Sequence, residues 1–248
     1  TKYALKYAKK IITVSENTKK DLIKFYGGDE NKIKVVHHGV ELKFPISNSQ
    51  FSNKFQFPIS KFKIQDSKSP YLLCLGRIEL KKNISGILKA FDIFKEKYKL
   101  PHKLILMGPL GYDYNRISKL KKLISKIKFC RNIIVYDYIS ETEKWKFLKN
   151  ASIFLFPSLY EGFGLPILEA QAVGVPVITS DISSMPEVAG SGAILVDPRN
   201  TEEIAESIYK LIENREFRQQ IINRGFENVK RFSWEKCARK TLRILVEN

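Results

Sequence analysis

The chain has 248 residues, with 43 Lys and Arg against 26 Asp and Glu and a formal charge of +17. With 44% hydrophobic and 28% charged residues it is composed as a globular protein, which excludes disordered and collagen-like classes. No apolar run reaches the roughly eighteen residues of a membrane-crossing helix. The opening TKYALKYAKK has no signal-peptide core, and Cys74, Cys130 and Cys237 are separated thiols without a CxxC, which points to a cytoplasmic, reducing setting.

Residues 8–15 (AKKIITVS) predict a strand, and 16–26 a helix with Ser15 as N-cap. A second strand, 32–40 (KIKVVHHGV), enters a glycine turn. Residues 42–69 have no sustained period and many Ser, Asn, Phe and Pro, as an irregular linker has. FPIS recurs at 44–47 and 57–60, too short for a repeat architecture. From Pro70 the alternation is regular. Strands are predicted at 71–76, 102–108, 132–138, 152–158, 176–181 and 193–198. Helices are predicted at 84–98, 115–128, 141–150, 165–174, 201–214, near 216–230, and at 233–246 with Ser233 as N-cap. Apolar strands alternating with amphipathic helices predict an α/β fold, a Rossmann-like parallel sheet with helices on both faces. Ligands of such sheets sit at the carboxyl ends of the strands, beside a topological switch point. The loops after Gly76, Gly108, Tyr136, Ser158 and Ser180 are therefore the places to search.

Charge is placed unevenly. Residues 1–149 carry 32 Lys and Arg against 13 Asp and Glu, and residues 150–248 carry 11 against 13. A basic half suits an anionic partner: phosphates, a phosphorylated lipid, a membrane surface or nucleic acid. Solvated lysine faces, such as that of 116–128, account for the same numbers without a partner.

Two loops carry chemistry. In PSLYEGFGLPILEA (157–170) a strand end, two glycines and Pro166 at a helix start leave the backbone open to a ligand, with the first helix amides favouring an anion by about 0.3–1 kcal/mol. Glu161 and Glu169 would border that cleft and accept hydrogen bonds from sugar or ribose hydroxyls. The plainer alternative is a solvated loop carboxylate and a solvated helix carboxylate. In LGRIELKKN (75–83), Gly76 ends a strand, and Arg77 and Lys82 precede a helix, which suits a diphosphate. An ordinary surface Arg and Lys would look the same in isolation.

Together these segments resemble the donor-binding C-terminal half of the retaining glycosyltransferases of family four, which have the two-domain GT-B fold. The resemblance runs through nearly the whole chain: KIITVSENTKKDLIKFYG, KIKVVHHGV, YLLCLGRIELKKN, the block PSLYEGFGLPILEAQAVGVPVITSDISSMPEVAGSGAILVDP and FSWEKCARKTL. It implies that Glu169 holds the donor ribose, Glu161 a hydroxyl of the transferred sugar, and Arg77 and Lys82 the diphosphate. It also implies that backbone at Gly76, Gly162, Phe163, Gly164 and Leu165 faces sugar and phosphates, and that the loop of Tyr136, Tyr138 and Ile139 holds the base. No DxD occurs, so neither a metal nor another cofactor is expected.

In that resemblance, residues 1–41 are the tail of an N-terminal acceptor domain and 42–69 an interdomain segment. Residues 70–230 are the nucleotide-sugar domain, and 231–248 a terminal helix that packs back on the N-terminal domain. That domain would precede residue 1, so the chain is expected to bind donor while being incomplete for catalysis. One departure is His38 where the family has Asn; His37 and His38 could line the interdomain cleft. The expected partners are a nucleotide-sugar donor and a glycan or lipid-linked acceptor, with peripheral contact of the basic side at the inner face of an anionic membrane. The donor sugar and base stay open between mannose from a guanosine donor and glucose or N-acetylhexosamine from a uridine donor. Two other readings compete. A sugar-nucleotide epimerase, or a phosphorylase needing a lysine-bound pyridoxal group, would keep the fold, but the GFGLP–Glu pairing disfavours both. A basic module for nucleic acid or membrane surface would use the charge, but no zinc-finger spacing or RNP motif is present, so no specific nucleic acid is expected.

Overall fold

The computed structural model describes residues 1–41, 69–109, 114–137 and 139–246. The expected linker therefore lies almost wholly outside the described residues, and so does Tyr138. The chain opens with helix α1 (Lys2–Tyr7), strand β1 (Ile11–Thr13), helix α2 (Glu16–Tyr26) and strand β2 (Ile33–Val35), with β1 and β2 paired in parallel. Ser15 caps α2 as expected, its side-chain oxygen accepting the Thr18 amide at 3.0 Å, and Gly27 closes the helix in the left-handed region at φ 66°. Helix α1 had no counterpart in the sequence reading: six residues with exposed Tyr3 and Tyr7 show no period. The strand expected over 32–40 ends at Val35, because β1 offers only three residues to pair with and the Val36 amide closes the ladder on Thr13 O.

The main sheet is built from β3 (Tyr71–Leu75), β4 (Lys103–Met107), β5 (Ile133–Tyr136), β6 (Ile153–Phe156), β7 (Val177–Ser180) and β8 (Ala193–Val196). All pairings are parallel, in the order β5-β4-β3-β6-β7-β8. The strands are apolar at nearly every position because both faces are covered. Leu72, Cys74, Leu104, Leu106 and Leu155 face one core. Leu73, Leu75, Ile105, Phe154 and Phe156 face the other. The first core is roofed by α3 (Ile84–Tyr98), α4 (Tyr114–Ile124) and α8 (Thr201–Glu213). Helix α3 buries Ile84, Ile87, Leu88, Phe91 and Phe94, one stripe at helical spacing, and Tyr98 stacks on Tyr209 of α8 at 3.9 Å. The second core is covered by α5 (Glu141–Lys149), α6 (Leu165–Ala172) and the short α7 (Met185–Ala189). Helices α9 (Arg215–Val229) and α10 (Trp234–Val246) complete the chain, and α10 buries none of its residues.

One further boundary and one helix differ from expectation. Helix α4 stops at Ile124 rather than at 128, because the Lys126 and Ile127 amides turn back three residues instead of four and tighten the chain. Helix α7 was not anticipated, since five residues show no period. The chain reverses direction across the sheet at β3 and β6, where consecutive connections go to opposite sides. The loops after these two strands flank the switch point.

At the amino edge of β4, His102 is buried with Nδ1 unpartnered among the described residues. Burial, reinforced by the nearby charges of Lys95 and Arg218, lowers its pKa to about 4. Because the folded value lies below the ordinary 6.5, this group's contribution to stability is present above pH 6.5 and is lost as pH falls from there toward 4. Urea unfolding at pH 7 and pH 5 should show a drop that His102→Leu reduces; an unchanged drop would exclude His102 as its source.

Candidate active site

The two chemically loaded loops meet at the switch point. After β3, Gly76 turns with φ 131°, a short 3-10 turn spans Leu80–Lys82, and Asn83 is left-handed at φ 55°. The Asn83 side-chain amide donates to Pro157 O at 3.1 Å and to Pro198 O at 2.5 Å, tying this loop to the ends of β6 and β8. The Leu159 amide donates to Lys81 O at 2.7 Å, so the two loops share a main-chain bond beside Lys82. The approach of the neighbouring loop requires glycine. A Cβ on Gly108, which has φ 150°, would lie 2.2 Å from Gly76 O.

These ties bring Lys82 to Glu161. Nζ lies 2.7 Å from Oε1, both side chains are nearly buried, and Nζ sits 4.5 Å from the centroid of the Phe156 ring. The contact is an ion pair without hydrogen-bond alignment, since Glu161 Oε1 has no aligned donor among the described residues. The solvated-loop alternative for Glu161 is thereby excluded. Glu169, one turn into α6, pairs with a residue the sequence reading did not single out: Lys144 Nζ of α5, at 2.9 Å. Lys144 also reaches Glu141 at 2.6 Å. Arg77 is the outlying member, its side chain exposed and its Nε 3.5 Å from Glu79. Lys82 and Glu161 are thus in contact, Glu169 belongs to a second couple, and Arg77 extends from the loop into solvent.

The glycine loop is shaped by serines. Ser183, left-handed at φ 59°, accepts the Glu161 amide at 3.2 Å and donates to Glu161 O at 2.8 Å. The buried Ser184 hydroxyl lies 2.9 Å from Glu161 O and 2.8 Å from Phe163 O. From the other side, Ser15 Oγ and Thr18 Oγ1 reach Gly162 O at 2.7 and 3.2 Å. Gly164, at φ 108°, is the residue before α6, and Leu165 and Pro166 open that helix. The amides of Phe163, Gly164 and Leu165 have no protein acceptor among the described residues, as an anion-binding helix start requires. No heavy atom comes within 3.9 Å of a Cβ built on Gly162. The Phe163 ring joins an aromatic cluster with His37, His38 and Phe232. His37 Nε2 lies 2.5 Å from Glu187 Oε1, and the Glu16 amide meets both oxygens of Glu187 at 3.0 Å. Burial works against the charged form of Glu187, but His37 and the Glu16 and Asn17 amides outweigh it and lower its pKa. Burial lowers the pKa of His38.

On the far side, Tyr136 O accepts the Gly108 amide at 3.0 Å, and burial together with Glu143 raises the phenol to about 12. Ile139 is half-buried against the second core. Among the described residues no three His, Cys, Asp or Glu converge, and no helix is long and apolar enough to cross a membrane.

Comparison with known proteins places this geometry. Residues 56–228 match the family described as glycosyl transferases group 1, and residues 1–44 match that described as glycosyltransferase family 4. The chain belongs to the group 1 glycosyltransferases. Among curated relatives of this glycosyltransferase, O-antigen chain mannosyltransferase B of Escherichia coli is 30% identical over 241 residues, which are 96% of this chain and 61% of its own. O-antigen chain mannosyltransferase RfbU of Salmonella typhimurium is 28% identical over 234 residues, 92% of this chain and 59% of its own. The chain thus spans less than two thirds of the length of these relatives. HepE of Anabaena, crystallised with UDP and glucose, superposes with a TM-score of 0.82 at 18% identity, covering 99% of this chain and 65% of that one. The expected Rossmann-like sheet of a GT-B half stands.

The serine clamp was legible only as part of the long family block, since nothing in SDISSMPE marks two hydroxyls as loop holders. Ser184→Ala leaves Phe163 O without its hydroxyl donor, while Glu161 O keeps Ser183, and should cost about 1–2 kcal/mol. Chemical unfolding measures it, and a change within error of zero would show that the clamp contributes nothing.

Proposed function

We infer that this chain is the donor-binding half of a hexosyltransferase that uses a nucleotide-diphosphate sugar and transfers with retention and without a metal. The observation that carries the reading is the Lys82–Glu161 couple at the switch point, on the loop that leads into the open start of α6. On donor binding, Lys82 and Arg77 neutralise the diphosphate as the glycosidic bond breaks. The leaving group gains negative charge in the transition state, and fixed cations and helix amides stabilise it without reorganisation. Arg77, exposed and only loosely engaged with Glu79, is free to turn inward. Glu161 takes a sugar hydroxyl, Glu169 the ribose, and the loop of Tyr136–Ile139 the base.

The names of two relatives, both O-antigen chain mannosyltransferases, support transfer of a hexose, and HepE, a neighbour in fold, was crystallised with UDP and glucose. We assign residues 1–41 to the tail of an acceptor-binding domain and α10 to the helix that packs back on it. The exposed Tyr3, Phe25, Trp234 and Leu245 support an apolar covering there, and the acceptor is a glycan or lipid-linked saccharide.

In the full-length enzyme, Lys82→Ala should lower the transfer rate about a hundred- to a thousandfold. Activity should persist in EDTA, and the product anomer, read by NMR, should match the donor. An inverted anomer would refute retention, loss in EDTA would refute metal independence, and wild-type rates in Lys82→Ala would refute the site.

A further inference from the structure

Lys144 is absent from every motif in this chain, yet it grips the carboxylate expected to hold the ribose. It projects from α5, which begins at a capping box of Ser140 and Glu143 immediately after the loop that leads from β5. Its side chain is largely buried, its Nζ lies between Glu169 and Glu141, and it sits 4.7 Å from the centroid of the Trp145 ring. Burial disfavours the ammonium, but the two carboxylates more than offset that and raise its pKa.

The pattern repeats that of the first couple. Each of the two carboxylates assigned to the donor is matched by a lysine: Glu161 by Lys82 and Glu169 by Lys144. The physical need is plain. A donor diphosphate approaching two uncompensated carboxylates in a partly buried cleft would be repelled, and the repulsion grows as water leaves. Lys82 serves its carboxylate from the phosphate side. Among the described residues, the cation paired with Glu169 comes from α5 and not from the loop after β3. We propose that Lys144 is a positioning residue of the donor site, which fixes the Glu169 carboxylate and offsets part of its charge, shared with the exposed Glu141, so that an anionic nucleoside diphosphate can bind beside it. Lys144 occupies one of about four acceptor positions on that carboxylate, which leaves the others for a vicinal diol. Glu141, exposed at the outer end of the network, holds the ammonium in place between uses.

The proposal rests on the assignment of Glu169 to the donor, and the test separates the two. UDP, GDP, ADP and TDP are titrated by calorimetry into the full-length wild type, Lys144→Met, Lys144→Arg and Glu169→Ala. For whichever diphosphate binds, Lys144→Met should weaken binding about tenfold at low salt. Lys144→Arg should recover most of it. Because the defect is uncompensated charge, the ratio of wild-type to Lys144→Met affinity should shrink toward one as salt rises from about 0.05 to about 0.5 M. A packing role would leave that ratio unchanged. A salt-independent loss, a failure of Lys144→Arg to rescue, or no loss overturns the proposal while the donor site stands, provided Glu169→Ala still abolishes binding. If Glu169→Ala binds normally, or none of the four diphosphates binds the wild type, the donor-site reading fails and takes the proposal with it.

Discussion

The contact on which this site depends is the ion pair between Lys82 and Glu161. It joins the loop after β3 to the loop after β6, the two strands at which the sheet reverses its winding. A partly buried pair contributes little to stability in itself, because desolvation offsets much of the attraction. Its value here is positional. The loops that carry the two groups are also tied by the Leu159–Lys81 main-chain bond and by the Asn83 side-chain bridge to Pro157 and Pro198, so the pair sits on a frame that holds when it opens. A ligand that offers Lys82 a phosphate and Glu161 a hydroxyl can therefore replace the pair without disturbing the fold.

The loop bearing Glu161 is held from two directions. Ser183 and Ser184 reach it from the loop after β7, within the same sheet domain. Ser15 and Thr18 reach it from the start of α2, in the segment that precedes the domain in sequence. Glu187 adds a second link, accepting the Glu16 amide and pairing with His37. Residues 11–41 are therefore built onto the glycine loop, and a displacement of this tail would be felt at Gly162 first. His37 takes part in this link as a structural partner of Glu187, a role that a pair of adjacent histidines does not announce in sequence.

Much of the architecture was legible because apolar strands covered on both faces and amphipathic helices leave opposite signatures. The 84–98 helix and the six main strands are cases where the signal is strong. What escaped was local. Helices α1 and α7 are too short for a period to emerge, and the end of α4 is decided by a switch in hydrogen-bond spacing that composition does not encode. At the site, Glu161, Glu169 and Lys82 stood out because carboxylates and cations beside glycine loops are chemically conspicuous. Lys144 did not, since it is one lysine in a helix where Lys146 and Lys149 also occur, and only the fold brings it to Glu169. The basic excess was equally ambiguous in sequence, and much of it resides on exposed faces such as Lys119, Lys122 and Lys126 around α4.

The Lys82–Glu161 couple is proposed to mark where the activated sugar sits. A crystal structure of the full-length enzyme with a bound nucleotide sugar tests it most directly. The diphosphate should lie within hydrogen-bond distance of Lys82 Nζ and the α6 amides, with the sugar against Glu161 and the ribose against Glu169. A diphosphate bound elsewhere, with the Lys82–Glu161 pair still closed, would contradict it.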